Sequence, residues 1–276
     1  MLKGTVELIG DKSISHRAIM FSSIAKGTTR IKNFLMGQDC LSTIGCFRKM
    51  GVNIDINDKE VIVKGVGLRG LKKPNEILNV GNSGTTIRLM MGILAGNEFE
   101  STVIGDESIG KRPMKRVTDP LRLMGCSIKG NDDANFTPIT IYGGNLNGIE
   151  YKMPVASAQV KSSIILASLY ADDSSTIIEK SKSRNHTEIM LKSFGADIKS
   201  NDLKIDVQPV RELFSVGNIN VAGDISSAAF IIAAASIVEG SEVLIKNVGL
   251  NETRTGIIDV LEAMNGKFEI IDKRVE

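Results

Sequence analysis

Four segments of the chain share one pattern, and this internal repeat restricts the fold more than any other feature. Each segment opens with a turn-like polar cluster, continues into a helix of small and apolar residues, and later reaches a second helix that precedes a short strand. The four openings are GDKSISHRAIMFSSIA, GNSGTTIRLMMGILAG, ASAQVKSSIILASLYA and GDISSAAFIIAAASIV. A period of about seventy residues is too long for a small solenoid repeat and indicates a compact βαβαββ unit used several times.

The second helix of each unit ends where the backbone needs a left-handed residue. Gly51, Gly125 and Gly195 are placed to close three of these helices, and Asn265 is placed to close the fourth. The segments that follow, VNIDI, ADIKS and KFEII, predict half-buried strands. The apolar run 228–238 predicts a buried helix, because it is too short to span a bilayer. The sequence therefore predicts a mixed α/β fold.

Cationic and hydroxyl side chains gather at the helix openings of the first three units. A helix N-terminus carries a partial positive charge, so cations are unfavourable there unless an anion lies opposite. The net charge is only +2, so any anion site must be local. We expect Pro113 to begin a helical turn that would place Arg112 at another positive end. The residues concerned are, unit by unit, Lys12, Ser13 and Arg17; Asn82, Ser83, Gly84, Thr85 and Arg88, followed by Lys111, Arg112, Lys115 and Arg116; and Ser157, Gln159 and Lys161, followed by Arg184.

These openings predict a cleft for a small ligand with more than one anionic group, because free backbone N–H groups and guanidinium groups together bind phosphate or carboxylate. Simpler alternatives stay open for each motif taken alone. GDKSISHR is also compatible with a capped helix that carries surface cations, and GNSGTT with an ordinary turn. His16 is interpreted as a capping or packing residue, since no nucleophile or carboxylate partner is evident near it.

Several other classes of protein are disfavoured. GDESIGKR, residues 105–112, matches most of the P-loop pattern, but Arg112 replaces the hydroxyl residue that would bind magnesium. Aromatic residues are 4% of the chain and tryptophan is absent, which disfavours stacking of single-stranded bases. The three cysteines and two histidines lack paired spacing, so the sequence predicts no disulfide framework and no metal site. We expect a cytoplasmic protein.

A set of motifs resembles one known family. The segments GDKSISHRA, GNSGTTIRL, KRPM, PVASAQVKS, SRNHTE, GDISSAAF and NETRTG occur in this order and are similar to those of the 5-enolpyruvylshikimate-3-phosphate synthase family. The resemblance covers essentially the whole chain. The sister family that acts on UDP-N-acetylglucosamine is less similar, because it has Lys-Asn in place of the DKSISHR opening.

The resemblance implies a transferase that moves the enolpyruvyl group of phosphoenolpyruvate to the 5-hydroxyl of shikimate 3-phosphate and releases phosphate, on the route to chorismate and the aromatic amino acids. It implies no cofactor, no metal, no nucleic acid or membrane partner, and a monomer. The implied ligands of shikimate 3-phosphate are Lys12, Ser13, Arg17, Ser157, Ala158, Gln159 and Arg184. The implied ligands of phosphoenolpyruvate are Lys12, Gly84, Arg112 and Gln159. Many members of the family have serine at position 158, so a side-chain hydrogen bond there is not implied.

The resemblance also implies a fold of two similar domains, each of three βαβαββ units in an inside-out α/β barrel. Mapped onto this sequence, residues 12–218 form one complete domain, and residues 1–11 with 219–276 form part of the second. The family's catalytic acid and base are expected beyond residue 276, so we expect a C-terminally truncated form that binds shikimate 3-phosphate weakly with little turnover. The alternative is a non-catalytic phosphate-ligand binding protein of the same ancestry.

Overall fold

A computed structural model describes residues 1–58 and 60–273 as a mixed α/β fold. The strands are β1 Lys3–Glu7, β2 Lys26–Lys32, β3 Asn53–Asn57, β4 Glu60–Val66, β5 Leu78–Asn79, β6 Glu100–Ile104, β7 Ser127–Gly130, β8 Phe136–Tyr142, β9 Glu150–Lys152, β10 Ser175–Ile178, β11 Ile198–Asn201, β12 Lys204–Val207, β13 Asn218–Asn220 and β14 Glu242–Lys246. The helices are α1 Lys12–Ser23, α2 Gln38–Lys49, α3 Gly84–Ala95, α4 Glu107–Gly110, α5 Lys115–Leu123, α6 Asn131–Ala134, α7 Ala158–Ser168, α8 His186–Ser193, α9 Ile225–Ile237 and α10 Gly256–Ala263.

The second and third units have the same four-stranded sheet. In the second unit the order is β5-β6-β8-β7, and in the third it is β9-β10-β12-β11. The first two strands of each sheet are parallel and are joined through α3 or α7, whereas the other pairs are antiparallel. The left-handed closures at Gly51, Gly125 and Gly195, with φ of 88°, 98° and 95°, are confirmed, as is that at Asn265. The predicted βαβαββ unit is therefore confirmed.

The first and fourth units exchange their first strands. β13 pairs in parallel with β2, whereas β1 pairs in parallel with β14. The two connecting segments, residues 8–11 and 221–224, pass each other at an antiparallel bridge between Gly10 and Gly223, and we call this place the crossing. A Cβ on Gly10 would lie 2.0 Å from the Asn33 carbonyl oxygen, so only glycine fits there. The predicted boundary at residue 218 falls within β13, and the two-domain division stays a prediction.

Three helices, most of whose residues are buried, form the core of the part of the protein made by residues 12–221. In α3, 10 of 12 residues are buried, and in α7, 10 of 11. α1 has 9 of its 12 residues buried. A helix buried on every side must lie inside the protein, so the sheets form the outer layer. α3 and α7 approach closely at Gly92, where a Cβ would lie 2.1 Å from the Ser163 carbonyl oxygen. This packing brings the N-terminal ends of the three helices together.

The part of the chain that follows the crossing has little core of its own. α9 forms as predicted, but its predicted burial is wrong: Phe230 is 80% exposed and Ile237 is 83% exposed. The two-stranded sheet of β1 and β14 is the main neighbour of this mostly apolar helix among the described residues, and two strands are too small to cover it. The strand predicted for KFEII is absent from the described residues 267–271. No helix within residues 1–58 and 60–273 is long and apolar enough to cross a membrane.

Candidate functional site

A cavity of about 310 Å³ lies where the N-terminal ends of α1, α3 and α7 meet. Each helix is capped by a side-chain oxygen: Asp11 accepts from the Ile14 N–H, Ser83 from the Thr86 N–H, and Ser157 from the Val160 N–H. Three positive helix ends at one cavity favour an anionic ligand. The cavity is lined by Lys12, Ser13, Arg17, Asp39, Asn82, Gly84, Thr85, Arg112, Ala158, Gln159, Arg184 and His186.

Arg17 lies at the wall formed by α1 and is 3% exposed. Its Nε donates to Thr187 Oγ1 at 2.7 Å, and its two Nη atoms donate to the Ser13 carbonyl and Ser162 Oγ, both at 3.0 Å. Three of its five N–H donors are thus used, and two remain for a ligand. Burial is the largest cause that lowers the pKa of Arg17 to about 10, with Glu188 opposing this effect, so the side chain is still a cation at neutral pH.

Arg184 lies beside Arg17, and a second cation cluster, of Arg88, Arg112 and Arg116, lies near the start of α3. Arg184 donates from Nη1 to Ser13 Oγ at 3.4 Å, and its charge contributes to lowering the pKa of Arg17. In this second cluster, burial and then the charges of Arg112 and Arg116 lower the pKa of Arg88. Like charges held this close repel one another unless an anion neutralises them. The cavity therefore has two places for negative groups.

Arg112 is held next to the start of α3. Its Nη2 donates to Asn82 Oδ1 and Ser108 Oγ, both at 3.1 Å, and the Asn82 amide donates to Asp106 at 2.7 Å. A Cβ on Gly84 would lie 3.2 Å from Arg112 Nη1, so glycine leaves the guanidinium room beside the backbone. The expected helix start at Pro113 is wrong, because α5 begins at Lys115. Arg112 is instead directed by Asn82 and Ser108.

Gln159 links the third unit to the second across the cavity. Its Oε1 accepts from Arg88 Nη1 at 2.7 Å, and its Nε2 donates to Thr85 Oγ1 at 3.0 Å. This bridge joins the start of α7 to the start of α3 and to Arg88. Ser157 is not among the lining residues and serves as the cap of α7, whereas Ala158 lines the cavity. The other ligands that the resemblance implies all line the cavity: Lys12, Ser13, Arg17, Gly84, Arg112, Gln159 and Arg184. Several residues of the predicted helix openings do not line it: Ser83, Arg88, Lys111, Lys115, Arg116 and Lys161.

Asp39 and His186 line the same cavity and were missed by the sequence analysis. Asp39, in the first turn of α2, forms an ion pair with Lys12. His186 is the first residue of α8, and burial, followed by the charges of Arg17, Arg254 and Arg184, lowers its pKa to about 4. The position of His186 two residues after Arg184 is the only signal in the sequence that points to it.

Comparison with known proteins identifies the family. The family model described as EPSP synthase (3-phosphoshikimate 1-carboxyvinyltransferase) matches residues 1–275. The chain belongs to the EPSP synthase family. Relatives named 3-phosphoshikimate 1-carboxyvinyltransferase include those of Bacillus licheniformis, 56% identical over 272 residues, and Bacillus subtilis, 54% identical over 269 residues. These matches cover 99% and 98% of this chain, and 63% of each relative.

A solved EPSP synthase structure from Acinetobacter baumannii superposes with a TM-score of 0.95 at 46% identity. The match covers 99% of this chain and 62% of that one. The mixed α/β fold predicted from the sequence is therefore confirmed as that of EPSP synthases. The chain spans a little under two thirds of the length of the relatives it matches.

Two buried polar networks hold the cleft of this EPSP synthase family member. In the first, His16 Nδ1 and Thr43 Oγ1 lie 2.7 Å apart, Thr43 and Thr86 are hydrogen bonded at 2.7 Å, and Thr86 donates to Ser83 Oγ at 2.6 Å. This network ties α1 and α2 to the cap of α3. His16 is fully buried, which agrees with the packing role expected for it.

The second network is an ion triad. Lys161 Nζ lies 2.8 Å from Glu179 Oε2 and 2.7 Å from Glu188 Oε1, and the three side chains are 1%, 2% and 4% exposed. Lys161 lies in the first turn of α7 and Glu188 in the first turn of α8. Glu179 also accepts a hydrogen bond from Ser183, next to Arg184. The triad therefore fixes the loop that holds Arg184 against the start of α7.

Proposed function

We propose that this chain forms the binding cleft for shikimate 3-phosphate and phosphoenolpyruvate in an enzyme that transfers the enolpyruvyl group to the 5-hydroxyl of shikimate 3-phosphate and releases phosphate. The observation that supports the proposal best is the convergence of three helix N-termini and two arginine clusters on one cavity. Family membership supports the choice of this reaction, because relatives at about 55% identity are named for it.

The charges of the cleft support this assignment. Every hydrogen-bond partner that the described residues give to Arg17, Arg112 and Arg184 is an uncharged hydroxyl, amide or carbonyl oxygen. Arg17 is buried, Arg112 is half-buried and Arg184 is exposed. Guanidinium groups with only neutral partners favour binding of phosphate and carboxylate groups. Both proposed substrates are small and have more than one anionic group, which matches the two clusters.

Each of the two arginine clusters binds one of the two substrates. Ser13, Arg17 and Arg184 bind shikimate 3-phosphate together with Ser157 and Ala158 of the third unit. Gly84 and Arg112 bind phosphoenolpyruvate. Lys12 and Gln159 contact both, with Gln159 lying between the two substrates. These are binding roles; the reaction also needs one proton delivered and one removed by positioned groups, and the proposal assigns neither step to these residues.

We further propose that the protein works as a monomer in the cytoplasm. Cys40, Cys46 and Cys126 are unpaired and buried, which fits a reducing compartment. The alternative of a non-catalytic binding protein is not favoured, because the matched relatives are named as the transferase.

Substitution of Arg17 by alanine tests the proposed shikimate 3-phosphate site. We expect the binding free energy of shikimate 3-phosphate to weaken by about 1.5–3 kcal/mol, the contribution of a hydrogen bond to a charged group. Isothermal titration calorimetry on the folded chain measures this change. Arg30→Ala is the matched control, because Arg30 is 55% exposed, pairs with Glu60 at 3.5 Å, and lies outside the cleft. An unchanged dissociation constant in Arg17→Ala would remove Arg17 from the site.

A further inference from the structure

The NETRTG motif, residues 251–256, lies far from the cavity in sequence but contacts two segments that form it. Asn251 Nδ2 donates to Asn185 Oδ1 at 2.8 Å, and Lys182 pairs with Glu252 at 3.1 Å. Both partners lie in the loop that holds Arg184. The motif is itself ordered by Asn251, whose side-chain oxygen accepts from the Thr253 N–H at 2.8 Å. One end of the motif is therefore attached to the wall that holds the third-unit arginine.

Arg254 attaches the other end of the motif to the crossing. Its Nη1 lies 2.9 Å from Asp11 Oδ2, and its Nη2 lies 2.7 Å from Asp224 Oδ1. Asp11 and Asp224 are the last residues of the two crossing segments and the caps of α1 and α9. The Arg254 side chain is only 10% exposed, so water screens these ion pairs little. One guanidinium thus fixes the point at which the exchanged strands pass into their helices.

The charge of Arg254 also affects the cleft. It contributes to lowering the pKa of both Arg17 and His186, whereas Asp11 opposes this effect at Arg17. Loss of Arg254 would leave the carboxylates of Asp11 and Asp224 without their shared cation, close to the place where an anionic ligand binds. Two unneutralised carboxylates there would repel a phosphate group.

We propose that Arg254 is a positioning residue of the cleft, which holds the start of α1 and the Arg184 loop in the arrangement that binds shikimate 3-phosphate. Arg254 does not line the cavity and acts through Asp11 on one side and through Asn251 on the other. The inference rests on the proposed function for the identity of the ligand, whereas the link itself rests on the hydrogen bonds and ion pairs of residues 251–254.

The experiment compares Arg254→Met with Glu252→Gln. Glu252 is in the same motif, but the two side chains of its ion pair are 57% and 74% exposed, so the pair contributes little. Calorimetry with shikimate 3-phosphate is expected to give a dissociation constant about tenfold higher in Arg254→Met and nearly unchanged in Glu252→Gln. Arg254→Lys keeps the charge but lacks the planar guanidinium that contacts both carboxylates. Its dissociation constant is expected to lie between those of Arg254→Met and Glu252→Gln. All titrations are made well below the melting temperature, so a role in stability alone leaves the constant unchanged.

Amide hydrogen exchange gives a second measurement that needs no ligand. We expect faster exchange at residues 11–17 and 182–189 in Arg254→Met than in Glu252→Gln. Unchanged exchange at both segments would overturn the proposal, and so would faster exchange with an unchanged dissociation constant. If the unsubstituted chain does not bind shikimate 3-phosphate, the proposed function fails, and the exchange comparison alone then decides whether Arg254 positions the two segments.

Discussion

Replacing Lys161 with methionine is expected to destabilise the folded chain by about 3–5 kcal/mol, because it leaves two buried carboxylates, Glu179 and Glu188, without their cation. One oxygen of Glu188 already lacks a hydrogen-bond partner, so nearby groups offer little to compensate for the loss of the Lys161 ammonium group. The effect is large relative to a total stability of roughly 5–15 kcal/mol for a typical domain. Urea denaturation followed by circular dichroism measures it.

Lys204→Met is the matched control for this prediction. Lys204 also pairs with a carboxylate, Asp206 at 3.1 Å, but the two side chains are 54% and 34% exposed, so a loss below about 1 kcal/mol is expected. Combining Lys161→Met with Glu179→Gln and Glu188→Gln is expected to recover part of the stability, since no buried charge then remains in the triad. Equal stabilities of Lys161→Met and Lys204→Met would show that the triad does not hold α7 to α8.

Lowering the pH from 7 to 5 is expected to destabilise the chain by about 2 kcal/mol for each of its two histidines. Burial, then the charge of Lys12, lowers the pKa of His16 to about 3, and burial with nearby arginines lowers that of His186 to about 4. Each folded-state pKa lies below the unfolded value of about 6.5, so the unfolded chain binds more protons as the pH falls below 6.5. Stability is therefore full above pH 6.5 and is lost as the pH falls toward the folded values.

Substitution of each histidine by asparagine separates the two contributions. The side chain introduced by His16→Asn keeps a polar atom near Thr43 and does not titrate, so the slope of stability against pH between 6.5 and 5 should fall by about half; His186→Asn should do the same. Asp11, whose pKa is raised mainly by burial, contributes to the pH dependence with the opposite sign. Melting temperatures measured in a buffer without phosphate test this, and a pH slope unaffected by both substitutions would contradict it.

The repeated unit could be read from the sequence because its signals are local. Glycine at Gly51, Gly125 and Gly195 is needed by the backbone of each helix end, whatever lies around it. Cations beside capped helix starts likewise indicated an anion site before any contact was known, and Lys12, Arg17 and Arg112 do line one cavity. Local backbone chemistry thus predicted the units and most of the cleft.

Features that depend on distant partners could not be predicted in this way. The burial expected for the apolar helix at 228–238 was wrong, because hydropathy does not tell which neighbours are present to cover it. Asp39 and His186 enter the cleft through the packing of α2 and α8. No quoted motif contains Asp39, and the SRNHTE motif that contains His186 indicated only Arg184 as a ligand. The role of Arg254 depends on Asp11, which is far away in the sequence and adjacent only because the strands cross.

The strand exchange has a consequence for the order in which the protein can be made. The open edge of β2 receives β13, and Asn33, directly after β2, donates to the Val221 carbonyl 188 residues further along the chain. At ~5–20 residues per second, a ribosome needs roughly ten to forty seconds to supply that partner after β2 has emerged. During that interval the nascent first sheet has an unpaired edge, which is where chaperones would be most useful.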